Sequence, residues 1–206
     1  MKNLQILLSI LFSVQLYSQN LSEINRDLNI SDSLNFEIEI RVYQFKGISN
    51  YSSLFRMYKK NSKKWKAEFY EHYLKANQQP ESITKKQILK PLHDFEFIRL
   101  NFLRSYILEL PNLQEIKWKL AKRGDVEKRK VQRRGKVIEE YDLVNSTKTP
   151  LDGNGYIIIF KDKSRNNEFH FSNPYFYLSN YSEIDELIYV CEILDMITNE
   201  FGIWKN

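Results

Sequence analysis

Cysteine is almost absent from this sequence of 206 residues, which contains only Cys191. A single cysteine cannot form a disulfide within the chain, so we expect an ordinary hydrophobic core to stabilise the fold. A lipid anchor would require a cysteine at an N-terminal cleavage site. Because Cys191 lies far from that end, lipoprotein processing is not expected. Cys191 falls on the apolar side of a helical pattern, which predicts a core position.

The sequence also lacks an apolar run of the roughly 20 residues that cross a bilayer. The apolar run at the N-terminus, residues 4–16, follows Lys2 and precedes the small residue Ser18. A basic start, a short apolar stretch and a small residue are typical of a secretory signal peptide. We therefore predict that residues 1–18 are a cleaved signal peptide and that the soluble mature chain, residues 19–206, is exported to the periplasm or the cell exterior. The exact cleavage bond stays open.

Alanine and glycine are scarce as well, with three and six residues, against 13 Phe and 13 Tyr. The codons of the enriched residues are rich in A and T, so genome base composition accounts for the aromatic content without a functional cause. The same holds for the formal charge of +5. A basic excess of this size is compatible with anionic partners but does not require them.

Alternating apolar residues predict two blocks of antiparallel strands. Residues 35–74 form the first block and read as a three-stranded meander. In its first strand Ile38 and Ile40 face one side, while Glu39 and Arg41 point the other way, which predicts a strand with one buried face. The second block is a C-terminal hairpin formed by the runs YIIIFKD and EFHFS.

Helical spacing of apolar residues predicts two helices, near residues 93–110 and 183–201. We expect Ser182 to cap the start of the second helix and Gly202 to end it. Together with the strands, this order predicts an α+β fold in which the antiparallel sheet packs against both helices. No repeat and no linker divides residues 19–206, so a single domain is expected. The structure of residues 113–144 stays open between paired strands and a charged helix.

Catalytic motifs are lacking. The three histidines, His72, His93 and His170, are scattered over different elements, so the sequence predicts neither a metal site nor a cofactor. It also lacks the G-x-S-x-G turn that presents a nucleophilic serine. An envelope hydrolase stays an alternative, and it would need His170 beside acidic groups in a shared cleft.

The main local charge imbalance is a basic segment, residues 117–136, with ten Lys or Arg against Asp125 and Glu127. Such a run is typical of contact with a polyanion. A solvated hairpin or loop is the alternative interpretation. Export argues against nucleic acid as the ligand and favours an anionic polymer or a protein of the cell envelope. The candidate contact residues are Lys128, Arg129, Lys130, Arg133 and Arg134.

Residues 175–181 hold four aromatic side chains, which could stack on sugar rings or dock the last helix on the sheet. From these features the sequence predicts a non-catalytic binding or interaction module of the cell envelope. An envelope hydrolase and a carbohydrate-binding module that uses residues 175–181 are the alternatives. The sequence leaves the oligomeric state open.

Overall fold

Six antiparallel strands form a central sheet, and four further strands form two separate two-stranded ribbons. The computed structural model describes residues 21–47, 49–60, 64–74 and 82–204, so the predicted signal peptide, residues 1–18, lies outside the described residues. In chain order the strands are β1 (Ile38–Lys46), β2 (Tyr51–Lys60), β3 (Lys64–Tyr73), β4 (Ile83–Leu89), β5 (Ala121–Lys122), β6 (Val126–Arg133), β7 (Lys136–Leu143), β8 (Ser146–Thr147), β9 (Asn154–Asp162) and β10 (Arg165–Ser172).

The strand order of the central sheet is β10-β9-β1-β2-β3-β4, and each neighbouring pair is antiparallel. The predicted meander corresponds to β1–β3 and the predicted C-terminal hairpin to β9–β10. Both are confirmed. The hairpin joins the meander because β9 pairs with β1, with Val42 opposite Ile158. The two blocks of strands therefore build one sheet.

Helices account for most of the remaining regular structure. They are α1 (residues 21–27), α2 (Phe95–Arg104), α3 (Leu113–Ile116) with a 3-10 turn after it (Lys117–Leu120), α4 (Pro174–Asn180) and α5 (Asp185–Phe201). The two predicted helices are confirmed as α2 and α5, although α2 ends earlier than expected, at Arg104. Within the described ranges, no helix has the length and apolar character needed to cross a membrane.

The start of α5 differs from the sequence prediction, whereas its end agrees. Ser182 is not the N-cap, because the backbone N–H of Ile184 bonds to the Tyr181 carbonyl and keeps Ser182 in a turn before the helix. Ile184 takes the N-cap position without a side-chain cap. Gly202 ends the helix in the left-handed region, at φ +67°, as expected for a C-terminal glycine.

The main hydrophobic core lies between one face of the sheet and helices α2 and α5. Alternate residues of the strands point to this face, and the apolar stripes of the two helices cover it. Its buried members include Ile40, Val42, Phe55, Met57, Ile158 and Phe160 from the sheet, Ile98 and Phe102 from α2, and Leu187, Val190, Leu194 and Ile197 from α5.

The opposite face of β1 is also buried, so the prediction that this strand has one buried face was wrong. The side chains of Glu39 and Arg41 are fully buried. An N-terminal arm, residues 21–37, covers them and packs Ile24, Leu28 and Ile30 on the sheet. The alternating pattern was read correctly, but its polar side faces the arm and not the solvent.

Ion pairs and hydrogen bonds to the backbone offset the cost of burying the charged side chains of Glu39 and Arg41. The Arg41 guanidinium donates to Glu39 Oε1 at 2.8 Å and to the carbonyls of Ser31 and Ser33. Glu39 Oε2 accepts the backbone N–H groups of Asn35 and Phe36. Buried charges require a partner and further hydrogen bonds, and the arm supplies hydrogen bonds to both members of this pair.

Two regions between the predicted elements are now defined. Residues 83–89 form strand β4, which was not predicted from the sequence; all of its residues pair with β3. In residues 113–144, which the sequence left open between paired strands and a charged helix, residues 113–120 are helical in α3 and the 3-10 turn. Most of the remainder consists of the paired strands β6 and β7.

Candidate functional site

The β6–β7 hairpin is the candidate binding element, and a short stem connects it to the domain. In the stem β5 pairs with β8. Beyond it, the Gly124 N–H donates to Asn145 Oδ1 and the Val144 N–H donates to the Asp125 carbonyl. A Cβ at Gly124 would lie 1.3 Å from the Val144 carbonyl oxygen. Only glycine at position 124 therefore allows the two backbone segments of the stem to approach this closely.

A tight two-residue turn closes the hairpin. Arg133 pairs with Lys136, and the residues between them, Arg134 and Gly135, have φ values of +50° and +78°. Positive φ at both central positions is the pattern of a type I′ turn, whose twist matches that of the two strands. The turn fixes the register of the hairpin and therefore decides which side chains share a face.

One face of the hairpin, which we call the apolar face, exposes four large hydrophobic side chains. Val126 and Val137 are each 67% exposed, Tyr141 is 76% exposed and Leu143 is 56% exposed. A two-stranded ribbon that buries neither face is marginally stable in water, so a covering partner would stabilise it. The apolar face consists of Val126, Lys128, Lys130 and Gln132 from β6 and Val137, Glu139, Tyr141 and Leu143 from β7.

The other face, which we call the charged face, carries its own counterions. Arg133 lies 3.0 Å from Glu140, and Arg129 lies 3.6 Å from Asp142. On the apolar face Lys128 pairs with Glu139. The charged face consists of Glu127, Arg129, Val131 and Arg133 from β6 and Lys136, Ile138, Glu140 and Asp142 from β7.

The hairpin does not gather the five predicted polyanion contacts into one cluster. Lys128 and Lys130 lie on the apolar face, Arg129 and Arg133 on the charged face, and Arg134 in the turn. Among the ion pairs of the described chain, those of the hairpin involve neither Lys130 nor Arg134. The contact with a polyanion stays a prediction, but pairing with the acidic strand β7 lowers the local charge that supported it.

A half-open cavity of about 560 Å³ lies beside the edge strand β10. Its wall combines the amide side chains of Asn112 and Gln114 with apolar residues such as Leu120. The side-chain amide and the backbone N–H of Asn112 donate hydrogen bonds to the Glu115 carboxylate, and these bonds lower the pKa of that carboxyl below its usual range. Cavities of this size with a few polar groups are the usual form of small-ligand sites.

His170 lies at this cavity and forms a pair with an acid. Its Nε2 is 3.1 Å from Glu168 Oε1, and both side chains are about half exposed. The hydrogen bond from His170 lowers the pKa of the Glu168 carboxyl, which outweighs the effect of partial burial. Ser172 also lines the cavity. Among the described hydrogen bonds of His170, none reaches this serine.

The aromatic segment 175–181 mostly packs within the domain, as part of α4. Tyr181 is buried, and its hydroxyl accepts the Lys148 N–H. Tyr175 donates its hydroxyl to Asp195 of α5 at 2.7 Å. Tyr177 is the member of the segment that lines the cavity, and burial raises the pKa of its hydroxyl. Within this segment, all of which the structure describes, the rings do not form a flat exposed platform.

A second histidine, His72, lies between a serine and an aspartate, but it is inaccessible. Its Nδ1 is 3.2 Å from Ser52 Oγ and its Nε2 is 3.0 Å from Asp27 Oδ2. His72 is 1% exposed and Ser52 is 5% exposed, so a substrate cannot reach the serine. The arrangement joins α1 to the sheet and acts as a structural link between them.

Cys191 offers no reactive thiol. Its side chain is buried in the core, as the sequence predicted, and burial raises its pKa to about 12. The thiolate that acts as a nucleophile is therefore absent near neutral pH. Across the described residues, no three His, Cys, Asp or Glu side chains are grouped so that they could hold a metal ion.

Comparisons with known proteins identify no relatives of this chain. No family model matches the sequence, and no match was found among curated proteins or solved structures. The function is therefore inferred from the geometry of the hairpin and of the cavity alone.

The sequence did not identify the four exposed hydrophobic residues of the apolar face. A signal for two of them was present, since Tyr141 and Leu143 alternate with the charged residues Glu140 and Asp142. The missing information was the pairing partner, because only the register with β6 shows that Val126 and Leu143 share their face.

Proposed function

We propose that this protein is a non-catalytic binding module and that the β6–β7 hairpin docks on a protein partner. The observation that carries the proposal is the apolar face, where four hydrophobic side chains are more than half exposed on a ribbon that buries neither face. Scattered hydrophobic residues are normal on protein surfaces, but a group on one face typically marks an interaction site.

The charge of the hairpin favours a protein partner over a polyanion. Residues 126–143 contain six Lys or Arg and four Asp or Glu, and three of the cations pair with acids of the same hairpin. A polyanion selects unpaired positive charge. Protein partners instead match complementary charges of both signs across their interface, beside the hydrophobic contacts. The apolar face carries hydrophobic residues together with charges of both signs, which favours a protein as its partner.

The proposal includes export. The composition of residues 1–18 supports a cleaved signal peptide, and the partner would then belong to the cell envelope or its surroundings. Purification of the mature chain from the producing cells and determination of its first residue test this part. A chain that keeps residues 1–18 would contradict it.

Site-specific photocrosslinking tests the docking role in the producing cells. A photoreactive phenylalanine analogue replaces Tyr141 on the apolar face in one variant and Leu151 in a control variant. Leu151 is fully exposed but lies outside the hairpin. We expect a discrete adduct from position 141 that position 151 does not give and that Leu143→Asp removes. Identical patterns from both positions would contradict the proposal.

Binding of a small polar ligand such as a saccharide is a second candidate function, favoured by the cavity beside β10. Its amide side chains can bond to hydroxyl groups, and Tyr177 provides an aromatic surface. A ligand at 100 times its Kd raises the free energy of unfolding by about 2.7 kcal/mol, which a thermal melt detects.

A panel of neutral and acidic oligosaccharides tests this second candidate. We expect a rise in melting temperature that Tyr177→Ala abolishes. Tyr175→Ala is the matched control, because Tyr175 lies on the same helix and contacts Asp195. A melt that no oligosaccharide shifts would reject saccharide binding.

The hydrolase alternative stays a proposal, because His170 lines the cavity and lies beside Glu168, although Glu168 is not part of the cavity wall. Hydrolysis of an oligosaccharide or ester by the wild-type chain, lost in His170→Ala, would support it. Equal turnover by the two proteins would reject His170 as a catalytic residue.

A further inference from the structure

We infer that the partner of the apolar face is a second copy of this chain, bound face to face. The inference rests on the proposed function, since both require the hairpin to be the docking element. Three observations support it: the charge difference between the two strands, the arrangement of charge along the face, and the register of the hairpin.

The two strands of the hairpin carry opposite net charge. Strand β6 has four Lys or Arg and one acid, whereas β7 has one lysine and three acids. On the apolar face, β6 contributes Lys128 and Lys130, and β7 contributes Glu139. A second hairpin is therefore attracted when its β7 lies over β6, and it is repelled when like strands are stacked.

A two-fold axis parallel to the strands produces the attractive arrangement. Such an axis, placed between two stacked hairpins about 10 Å apart, puts β6 of each copy over β7 of the other. Because Lys130 and Glu139 are opposite each other in the hairpin, Lys130 of one copy then lies over Glu139 of the second copy. Symmetry creates this ion pair twice.

The hydrophobic residues fall into matching positions under the same symmetry. Val126 lies over Leu143 of the second copy, and Lys128 lies over its Tyr141, where an ammonium and an aromatic ring attract each other. The face is thus apolar at its ends and charged at its centre in both copies. A two-fold axis perpendicular to the strands and within the plane of the face would instead stack β6 on β6 and bring like charges together.

The size of the face indicates a weak dimer. Two strands of eight residues each present a small surface compared with the roughly 1,200–2,000 Å² buried by stable interfaces. We therefore expect a dissociation constant in the micromolar range. A dimer of this strength forms and dissociates with changes in local concentration.

Sedimentation equilibrium of the full chain, purified from the cells that produce it, tests the dimer with two charge reversals. Lys130→Glu places two carboxylates over each other at both symmetric contacts, and Glu139→Lys places two ammonium groups there. Each variant alone should therefore associate at least about tenfold more weakly than wild type. An equimolar mixture of the two variants should recover wild-type association, because both ion pairs then form between different chains.

The mixture separates an interface effect from damage to the hairpin. Lys130 and Glu139 are also opposite each other within one chain, so a single reversal could weaken the hairpin itself. Mixing cannot repair that damage, and failure of the mixture to associate would overturn the inference. Glu183→Lys is the control with the same change of charge, because Glu183 is exposed and lies outside the hairpin, and it should leave the dimer unchanged.

The outcomes also distinguish this inference from the proposed function. A wild-type chain that stays monomeric at all concentrations would overturn the dimer. If photocrosslinking at position 141 then gave an adduct with a different protein, the docking role of the hairpin would stand. Crosslinks between two copies of the chain at position 141, together with recovery in the mixture, would support both.

Discussion

Glu68 connects the buried charges on the arm-covered face of the sheet. Its carboxylate accepts hydrogen bonds from the Tyr70 hydroxyl at 2.8 Å and the Tyr58 hydroxyl at 3.3 Å. It also pairs with Lys86 at 2.8 Å and, more distantly, with Arg56. Arg56 in turn pairs with Glu39, so the charges alternate in sign from β1 to β4. Each charge of this series depends on its neighbours.

Neutralisation of Glu68 should strongly reduce stability. Glu68→Gln removes the acid that Lys86 and Arg56 share, although Arg56 keeps its pair with Glu39. Loss of charged hydrogen bonds at a buried carboxylate costs about 2 kcal/mol. Urea denaturation measures this change in the free energy of unfolding. Glu71→Gln is the control on the same strand, since its pair with Lys85 is exposed and should contribute less than about 1 kcal/mol. Equal losses in the two variants would contradict the role of Glu68.

Acid should destabilise the protein through Asp27 and Glu68. Burial alone would raise the pKa of both carboxyls, but hydrogen bonds outweigh it and hold both pKa values below their usual range. His72 and Ser82 form the hydrogen bonds to Asp27, and Lys86 and Tyr70 form those to Glu68. A lowered folded-state pKa stabilises the protein above the unfolded-state value, near pH ~4. This stabilisation is lost as pH falls through the folded-state pKa.

Urea denaturation at a series of pH values from about 7 to about 2 measures this loss. Asp27→Asn should lower stability at neutral pH and flatten the fall in acid, since one of the responsible carboxyls is then gone. Stability that is independent of pH below about 4 would show that these carboxyls have ordinary pKa values in the folded protein.

At the scale of elements, sequence periodicity predicted the meander, the C-terminal hairpin and the two main helices. It failed where an element depends on distant contacts. The alternation in β1 places Glu39 on one side of the strand, but only the arm determines that this side is buried. Strand β4 has no clear alternation, and its pairing with β3 gives it an extended form.

The candidate site was only partly predictable for the same reason. Residues 117–136 contain ten cations, but the acids that pair with Lys128, Arg129 and Arg133 lie beyond residue 136, in β7. The two strands become neighbours only through the turn at Arg134 and Gly135. Counting charges only within residues 117–136 therefore overestimated the net positive charge of the folded hairpin. It also missed the apolar face, whose residues come from both strands.

Gly124→Ala should disorganise the hairpin without unfolding the domain. The added methyl group would collide with the Val144 carbonyl and force the stem apart, whereas the core lies elsewhere in the structure. Amide resonances of residues 126–143 should shift, while the midpoint of thermal unfolding stays close to that of wild type. Gly135→Asn is the control, because asparagine tolerates positive φ and nothing lies near Gly135. A large fall in the midpoint for Gly124→Ala would show that the hairpin contributes to the core.

At the scale of the whole molecule, the protein combines a packed domain with a hairpin that buries neither of its faces. Strands β1 and β2 of the central sheet are buried on both faces, by the helices on one side and by the arm on the other, whereas the edge strand β4 is largely exposed. The hairpin, in contrast, exposes Val126, Val137, Tyr141 and Leu143 together on one face. This contrast is the reason for assigning the binding role to the hairpin and a structural role to the buried polar groups.

Hydrogen–deuterium exchange of the full chain over a range of protein concentrations tests this account most directly. The amides of β1–β3 should be protected at every concentration, because their opening requires disruption of the core. The amides of residues 126–143 should exchange rapidly in dilute solution and become protected as the second copy binds. Hairpin amides that are protected even at the lowest concentration, or that exchange equally fast at every concentration, would contradict the account.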